Sequence, residues 1–244
     1  MKIIILHIFF ITLTFASQSH SLIGFRGLIF TPSTGVFPND GESSFGYRNI
    51  ISPYTFINWS DKTTENHLFF GSLVFFPRLD ITGVITFAPN SHGNDGTDTY
   101  KDFALFAHIE LMKEGSNIPS LMLGIHDFYS YSYYNAFFLS SSKLFELNQD
   151  IQITTHIGYG VDWMNQHYGD TGPDKDAEVN HYLVGSFGGI DIIYQNYGSI
   201  MIEYDTHQIN CGIRLNLFDR YQITAVLLNL EAFSFGLDYS FSLI

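Results

Sequence analysis

Residues 150–162, DIQITTHIGYGVD, decide how this chain folds. Ile151, Ile153, Thr155, Ile157, Tyr159 and Val161 fall on one face, and Gln152, Thr154, His156, Gly158, Gly160 and Asp162 on the other. Successive strand side chains point to opposite faces, so this is a strand with one apolar side. The pattern returns about every twenty residues. Near the C-terminus Phe233, Phe235, Leu237, Tyr239 and Phe241 alternate with Ser234, Gly236, Asp238, Ser240 and Ser242. One thin wall therefore separates two environments.

Residues 1–21 carry Lys2, an apolar run from Ile3 to Phe15, and small residues at Ala16, Ser17 and Ser19. This predicts a secretory signal peptide cut between Ala16 and Leu22, since the run is shorter than the roughly 20 apolar residues that span a bilayer. No cysteine lies near that cut, which closes the lipoprotein route, and the single Cys211 excludes an intrachain disulfide. Beyond residue 21 no apolar run reaches transmembrane-helix length, yet the chain is 45% hydrophobic with 24 Phe and 15 Tyr. Such composition on short alternating strands fits an outer-membrane β-barrel, whose outward face and interfacial girdles are apolar and aromatic. A soluble β-sandwich is the competing architecture, and aromatics at both strand ends favour the barrel.

The net charge of −13 becomes −14 when Lys2 leaves with the signal peptide, which excludes a nucleic-acid surface. Asp61, Glu65, Asp95, Asp98, Asp102, Asp170, Asp174, Asp176 and Glu178 are read as loop carboxylates, solvated or bridging divalent cations at a lipopolysaccharide surface. The spacing from Asp170 to Glu178 is not that of an EF-hand. No linker divides the chain, so residues 41–244 are one barrel domain and residues 22–40 a segment before it.

The fold class expected is all-β, an antiparallel transmembrane barrel of about 12 strands: 42–50, 66–76, 79–87, 102–112, 120–128, 134–144, 150–162, 186–195, 198–205, 208–218, 220–230 and 232–242. The connections 51–65, 88–101 and 163–185 are long and polar, whereas those around Pro77, Leu147, Asn196 and Asp219 are short. Short periplasmic turns and long external loops give that alternation. The inward set would be Arg48, His108, Glu110, His126, His156, Asp191, Glu203, Asp205, Arg214 and Asp238, with apolar Phe106, Met112 and Met122 among them. Lumen side chains of this size leave little room for water, which argues against a wide porin.

Gly24-Phe25-Arg26-Gly27-Leu28-Ile29-Phe30-Thr31-Pro32-Ser33, followed by Gly41-Glu42, resembles the opening of the YjbH family of outer-membrane barrel proteins. Lys101-Asp102, Gly124-Ile125-His126-Asp127, Ser140 to Lys143, Gly158 and Gly160, Gly188-Gly189-Ile190 and Glu203-Tyr204-Asp205 resemble its later strands in order. The resemblance runs from about residue 24 to about residue 210. It implies a role in exopolysaccharide secretion or assembly, with polysaccharide and export-system proteins as partners beside outer-membrane lipid and lipopolysaccharide. It brings no catalytic residues and no cofactor. The best-known members are longer, so the chain resembles one barrel unit of them.

The motif at Gly27, Thr31, Pro32 and Ser33 predicts an extended segment and a turn, because proline disfavours helix at the residue before it. Residues 22–40 are expected either to fold into the barrel mouth as a periplasmic plug or gate or to remain a free N-terminal arm. Tyr129, Tyr131, Tyr133 and Tyr134 would sit at an external strand end, stacking on sugars or forming a girdle. Competing functions are a narrow small-solute channel or structural surface protein and an outer-membrane lipid hydrolase using Ser140 and His126. A metal site on His108, His126 and His156 is weaker, since isolated barrel histidines are more often structural, and no metal is assigned.

Overall fold

The computed structural model describes residues 19–34, 39–57, 63–76, 78–92, 98–127, 134–161, 182–218 and 220–243. The expected signal peptide thus lies outside the described residues except for 19–21, as do Asp61, Asp95, the carboxylates from Asp170 to Glu178, and Tyr129, Tyr131 and Tyr133.

Twelve antiparallel strands form one closed sheet: β1 (Glu42–Ile51), β2 (Glu65–Val74), β3 (Leu79–His92), β4 (Asp98–Met112), β5 (Ser120–His126), β6 (Ala136–Glu146), β7 (Ile151–Val161), β8 (Gly185–Tyr194), β9 (Gly198–Tyr204), β10 (Ile209–Leu217), β11 (Tyr221–Leu228) and β12 (Ala232–Ser242). Each pairs with its neighbours in sequence, and β1 pairs with β12 from Glu42↔Ser242 to Asn49↔Phe235. Closure leaves no strand edge, so the wall satisfies its own backbone donors and acceptors.

Alternation sets the two faces as the sequence implies. In β7, Thr154 and His156 are buried while Ile157 is 69% exposed. In β12, Ser234 and Asp238 are buried while Phe233 and Leu237 are exposed. The exposed side is apolar around the circuit, with Phe69, Ile85, Leu139, Ile200, Ile213 and Ile223 in mid-strand. A water-soluble barrel would have the reverse arrangement, so this exterior has the character of a lipid-facing wall.

At the end where β1 starts and β12 finishes, four of the five connections are tight, 75–78, 147–150, 195–197 and 218–220, and the fifth is 113–119. The opposite end carries the long connections 52–64 and 162–184. The third connection is a correction to the expected loop over 88–101. β3 runs on to His92 and β4 starts at Asp98, with a register shift between Ala88 and His92. Pro89 cannot donate to the ladder and Asn90 has φ of 56°, so the hairpin continues through a bulge that breaks the alternation on which the loop was read. A second register shift, between Glu110 and Met112, turns Met112 outward rather than into the lumen. Tyr134 sits at the expected strand end, just ahead of β6, but is fully buried inside the barrel, so it neither faces external sugars nor joins an outer girdle.

The exterior makes a direct prediction. Ile213→Arg, at the middle of the outward face of β10, should destabilise the folded barrel in bilayers by about 2–4 kcal/mol, measured by urea unfolding. A loss below about 0.5 kcal/mol would mean that this face does not meet hydrocarbon.

Candidate functional site in the barrel lumen

The lumen is filled by the chain's own residues 19–34. Leu22, Ile23, Phe25, Leu28, Ile29 and Phe30 are at most 3% exposed, and with Phe106, Phe138, Tyr182 and Met201 from the wall and its connections they form the apolar core. The segment is a knot closed by its own backbone: Leu22 N donates to Ile29 O at 2.7 Å, Leu28 N to Thr31 O at 2.9 Å, and Gly27 N to Ser19 O at 3.0 Å. These contacts begin at Ser19, upstream of the expected boundary at residue 22. Gly24 has φ of 98°, and a Cβ there would lie 2.5 Å from that of Phe70. Only glycine fits a left-handed backbone pressed so closely on a ring.

Wall side chains hold this knot by its main chain. Glu203, on β9, accepts from Ile29 N (2.9 Å), Phe30 N (2.7 Å), Thr31 N (3.1 Å) and Thr31 Oγ1 (2.8 Å). Asn210 Nδ2 adds a bond at 3.2 Å. Successive N–H groups converging on one carboxylate make a charge-assisted clamp that offsets its burial. Arg214, on β10, donates through Nη2 to Gly27 O (3.0 Å) and Leu28 O (3.1 Å), and its Nη1 lies 3.6 Å from Asp191 Oδ2. Arg48, on β1, donates to Ser21 O at 2.8 Å and grips Asp238 of β12 at 2.5 and 2.8 Å. Arg26 of the segment pairs in turn with Asp80 of β3 at 3.2 Å.

The remaining sequence candidates are buried and fall into separate groups. His108 and His126 share a bond of 2.7 Å between their Nε2 atoms, with Tyr182 Oη 3.3 Å from His126 Nδ1 and Asp80 Oδ2 3.7 Å from His108 Nδ1. Phe25 of the segment packs on both imidazoles. Burial, and after it the Glu203 carboxylate, push the Tyr182 phenol well above its ordinary value of 10. Glu110 lies 3.8 Å from Arg78. Asp205 caps its own turn, accepting from His207 N and Gln208 N, and holds Asn210.

His156 stands apart from the other two histidines. Its Nδ1 is 2.7 Å from both Ser142 Oγ and Ser33 Oγ, while its Nε2 has no hydrogen-bond partner among the described residues. Ser140 Oγ has none either, and the two ring nitrogens of His126 meet His108 and Tyr182. Activating a serine needs a base that a third group orients, and among the described residues the group beside the Ser142–His156 pair is a second hydroxyl, that of Ser33. The pair instead fastens Ser33, the last residue of the motif, to β7. Sequence reasoning missed Ser142, although it lies directly across from His156 in the register.

At the other mouth, the connection after β1 closes over the knot. Phe56 packs on Phe30, Tyr134 and Tyr182, and the Tyr54 hydroxyl donates to Glu231 in the turn before β12. That bond raises the Tyr54 phenol, and together with one from Asn229 it lowers the Glu231 carboxyl from its ordinary 4.5.

The fold and its contents define a class: a membrane-type β-barrel whose lumen is occupied by its own residues 19–34. The family model YjbH, described as "Exopolysaccharide biosynthesis protein YbjH", matches residues 19–208, and the chain belongs to that family. The match takes in both halves of the clamp, the knot and Glu203. No curated protein matches the chain. Among solved structures, the crystal structure of Ail, the attachment invasion locus protein of Yersinia pestis, aligns with 83% of this chain and 100% of its own at 13% identity. The TM-score of 0.17 is too low for that likeness to bear on fold or function.

Two predictions follow from the contacts. Glu203→Leu strands three buried N–H groups and a hydroxyl, and should weaken the seating of the segment by about 3–5 kcal/mol. The check is protease cleavage within residues 24–34 of detergent-solubilised barrels: rapid in the variant and absent in the parent, with the wall intact in both. Unchanged protection would show that the clamp does not hold the segment. For the Tyr54–Glu231 tether, the folded carboxyl titrates below its unfolded value of 4.5. The tether is therefore complete above pH 4.5 and fails as pH falls through the lower folded value. Hydrogen exchange over residues 52–57 should rise on that acidification, and Glu231→Gln should abolish the pH dependence.

Proposed function

We propose that this protein is an outer-membrane barrel that serves exopolysaccharide or surface-glycan secretion or assembly without itself catalysing a reaction. The observation that carries the reading is the family match over residues 19–208. The apolar exterior and polar, charge-bearing interior support placement in the outer membrane, reached through a signal peptide. The bonds made from Ser19 onward favour cleavage between Ala16 and Ser19, which keeps the whole knot.

The filled lumen bears on how such a barrel would work. With the knot seated, its buried apolar side chains occupy the lumen among the described residues. The protein in this state is a closed gate or an anchor, and passage through the lumen requires the segment to withdraw toward the tight-turn end where β1 begins. Lipopolysaccharide and export-system proteins are the partners that go with this reading. A steadily open small-solute channel is the less favoured reading for the same reason.

Deletion of the gene should reduce or alter surface polysaccharide, restored by the parent but not by a chain lacking residues 24–33. Glycan unchanged on deletion would overturn the reading. In planar bilayers the parent should be electrically silent and the truncated chain should conduct; steady conductance by the parent would make the channel the better description. Unboiled outer-membrane samples should run faster on cold gels than boiled ones, and a soluble protein with no shift would remove the membrane assignment.

A further inference from the structure

The charges turned into the lumen are of one sign by a wide margin. Six carboxylates of the wall and its strand ends, Asp80, Glu110, Asp191, Glu203, Asp205 and Asp238, are at most 8% exposed. Glu42 and Asp127, also buried, add one near each mouth. Among the described residues the wall sets two buried guanidinium groups against these eight, Arg48 and Arg214. The other described basic side chains of the barrel stand elsewhere. Lys101 lies over the Phe87 ring and Lys143 pairs with Glu114, both on the outward face, and Arg78, Lys113 and Arg220 are in connections at the tight-turn end, from where Arg78 reaches Glu110.

The present occupant of the lumen matches that sign. Residues 19–34 contain no aspartate or glutamate, and their one arginine, Arg26, lies 3.2 Å from Asp80. Glu203 takes from them three N–H groups and the hydroxyl of Thr31. Asp191 Oδ1 has no hydrogen-bond partner among the described residues. An anion brought in place of the segment would meet like charge inside a wall that focuses the field, and would leave Glu203 without donors. Sugar hydroxyls would supply donors of the kind that Thr31 supplies now.

The carboxylates are also unevenly placed along the axis. Asp80, Glu110, Asp191 and Asp238 lie in the half nearer the tight turns, and Glu203 and Asp205 in the other half. A chain entering at the end toward which the segment would withdraw meets the larger group first.

We propose that the lumen, once the segment has withdrawn, admits a glycan free of acidic groups and turns away one that carries uronates or other anions. With water in the lumen the carboxylates titrate near their ordinary range of about 4, so they are charged at neutral pH. The emptied barrel is cation-selective for the same reason. The proposal rests on the gate reading above and adds the chemistry of what the gate passes.

The test uses the full chain with Gly24 and Gly27 both replaced by valine. A Cβ at Gly24 would lie 2.5 Å from that of Phe70, and one at Gly27 would overlap the carbonyl oxygen of Thr31, so the pair unseats the segment without altering a charge. In planar bilayers at pH 8, where histidine is neutral, this variant should pass potassium several-fold more readily than chloride, and Asp191→Asn added to it should lower the ratio. Maltohexaose should block the current and hexagalacturonate should not. Chloride passing as readily as potassium, or hexagalacturonate blocking as well as maltohexaose, would overturn the proposal and leave the gate standing. A folded variant that is cleaved by protease within residues 24–34 yet stays silent would remove the gate reading itself. Should the valine pair give no heat-modifiable barrel, the parent chain carrying Arg26→Glu or Arg26→Gln decides. Both lose the bond to Asp80, and cleavage within residues 24–34 should be several-fold faster with the acid; equal rates would overturn the proposal.

Discussion

The pairing of β1 with β12 is the constraint on which the rest depends. A sheet of twelve strands with an apolar exterior can persist in a non-aqueous setting only if no backbone donor or acceptor is left at an edge, and this pairing removes the last two. Closure then creates an interior that must itself be satisfied. The wall turns arginine, aspartate, glutamate and histidine inward, and groups of that kind are costly to bury unless each finds a partner. Some find one another, as Arg48 finds Asp238; others find the peptide groups of residues 19–34.

The character of that second set explains how the interior can be both charged and filled. Glu203 and Arg214 bind main-chain N–H and C=O groups, which every residue except proline supplies in full, and the side chains of the same segment are left to fill space. Leu28 lies over Gly189, where a Cβ would come within 2.5 Å of its methyl group. The glycines of the wall thus make room for the segment that the charges hold. Polar recognition of backbone and apolar filling by side chains run along one stretch of chain without competing.

Most of the wall was legible because alternation is a local signal with a strict period. Residues 151–161 and 232–242 announced both their faces and their lengths. The signal failed where the period slipped, at the Pro89–Asn90 bulge and again at Glu110–Met112, since one extra residue exchanges the two faces. The inward direction of Glu203 was also readable from its place in the alternation. Its partners were not: the bond from Thr31 N spans 172 positions, and no pattern in either stretch reports on the other. The motif at Gly27 to Ser33 and the acidic pair around Tyr204 stood out separately as family-like, without a sign that they touch. The same limit hid Ser142 as the neighbour of His156, and set His108 with His126 but apart from His156.

At the seam of the barrel one side chain takes two roles, as Glu203 does between β9 and β10. Arg48 and Asp238 bridge the seam, and the guanidinium that makes the bridge also holds the carbonyl of Ser21. One side chain thus fastens both the wall to itself and the contents to the wall. Sealing the cylinder and loading it are thermodynamically coupled, so whatever draws the segment out also loosens the junction between first and last strands. The arginine at that junction is thus fixed in part by the segment, and withdrawing residues 19–34 would cost it the carbonyl of Ser21.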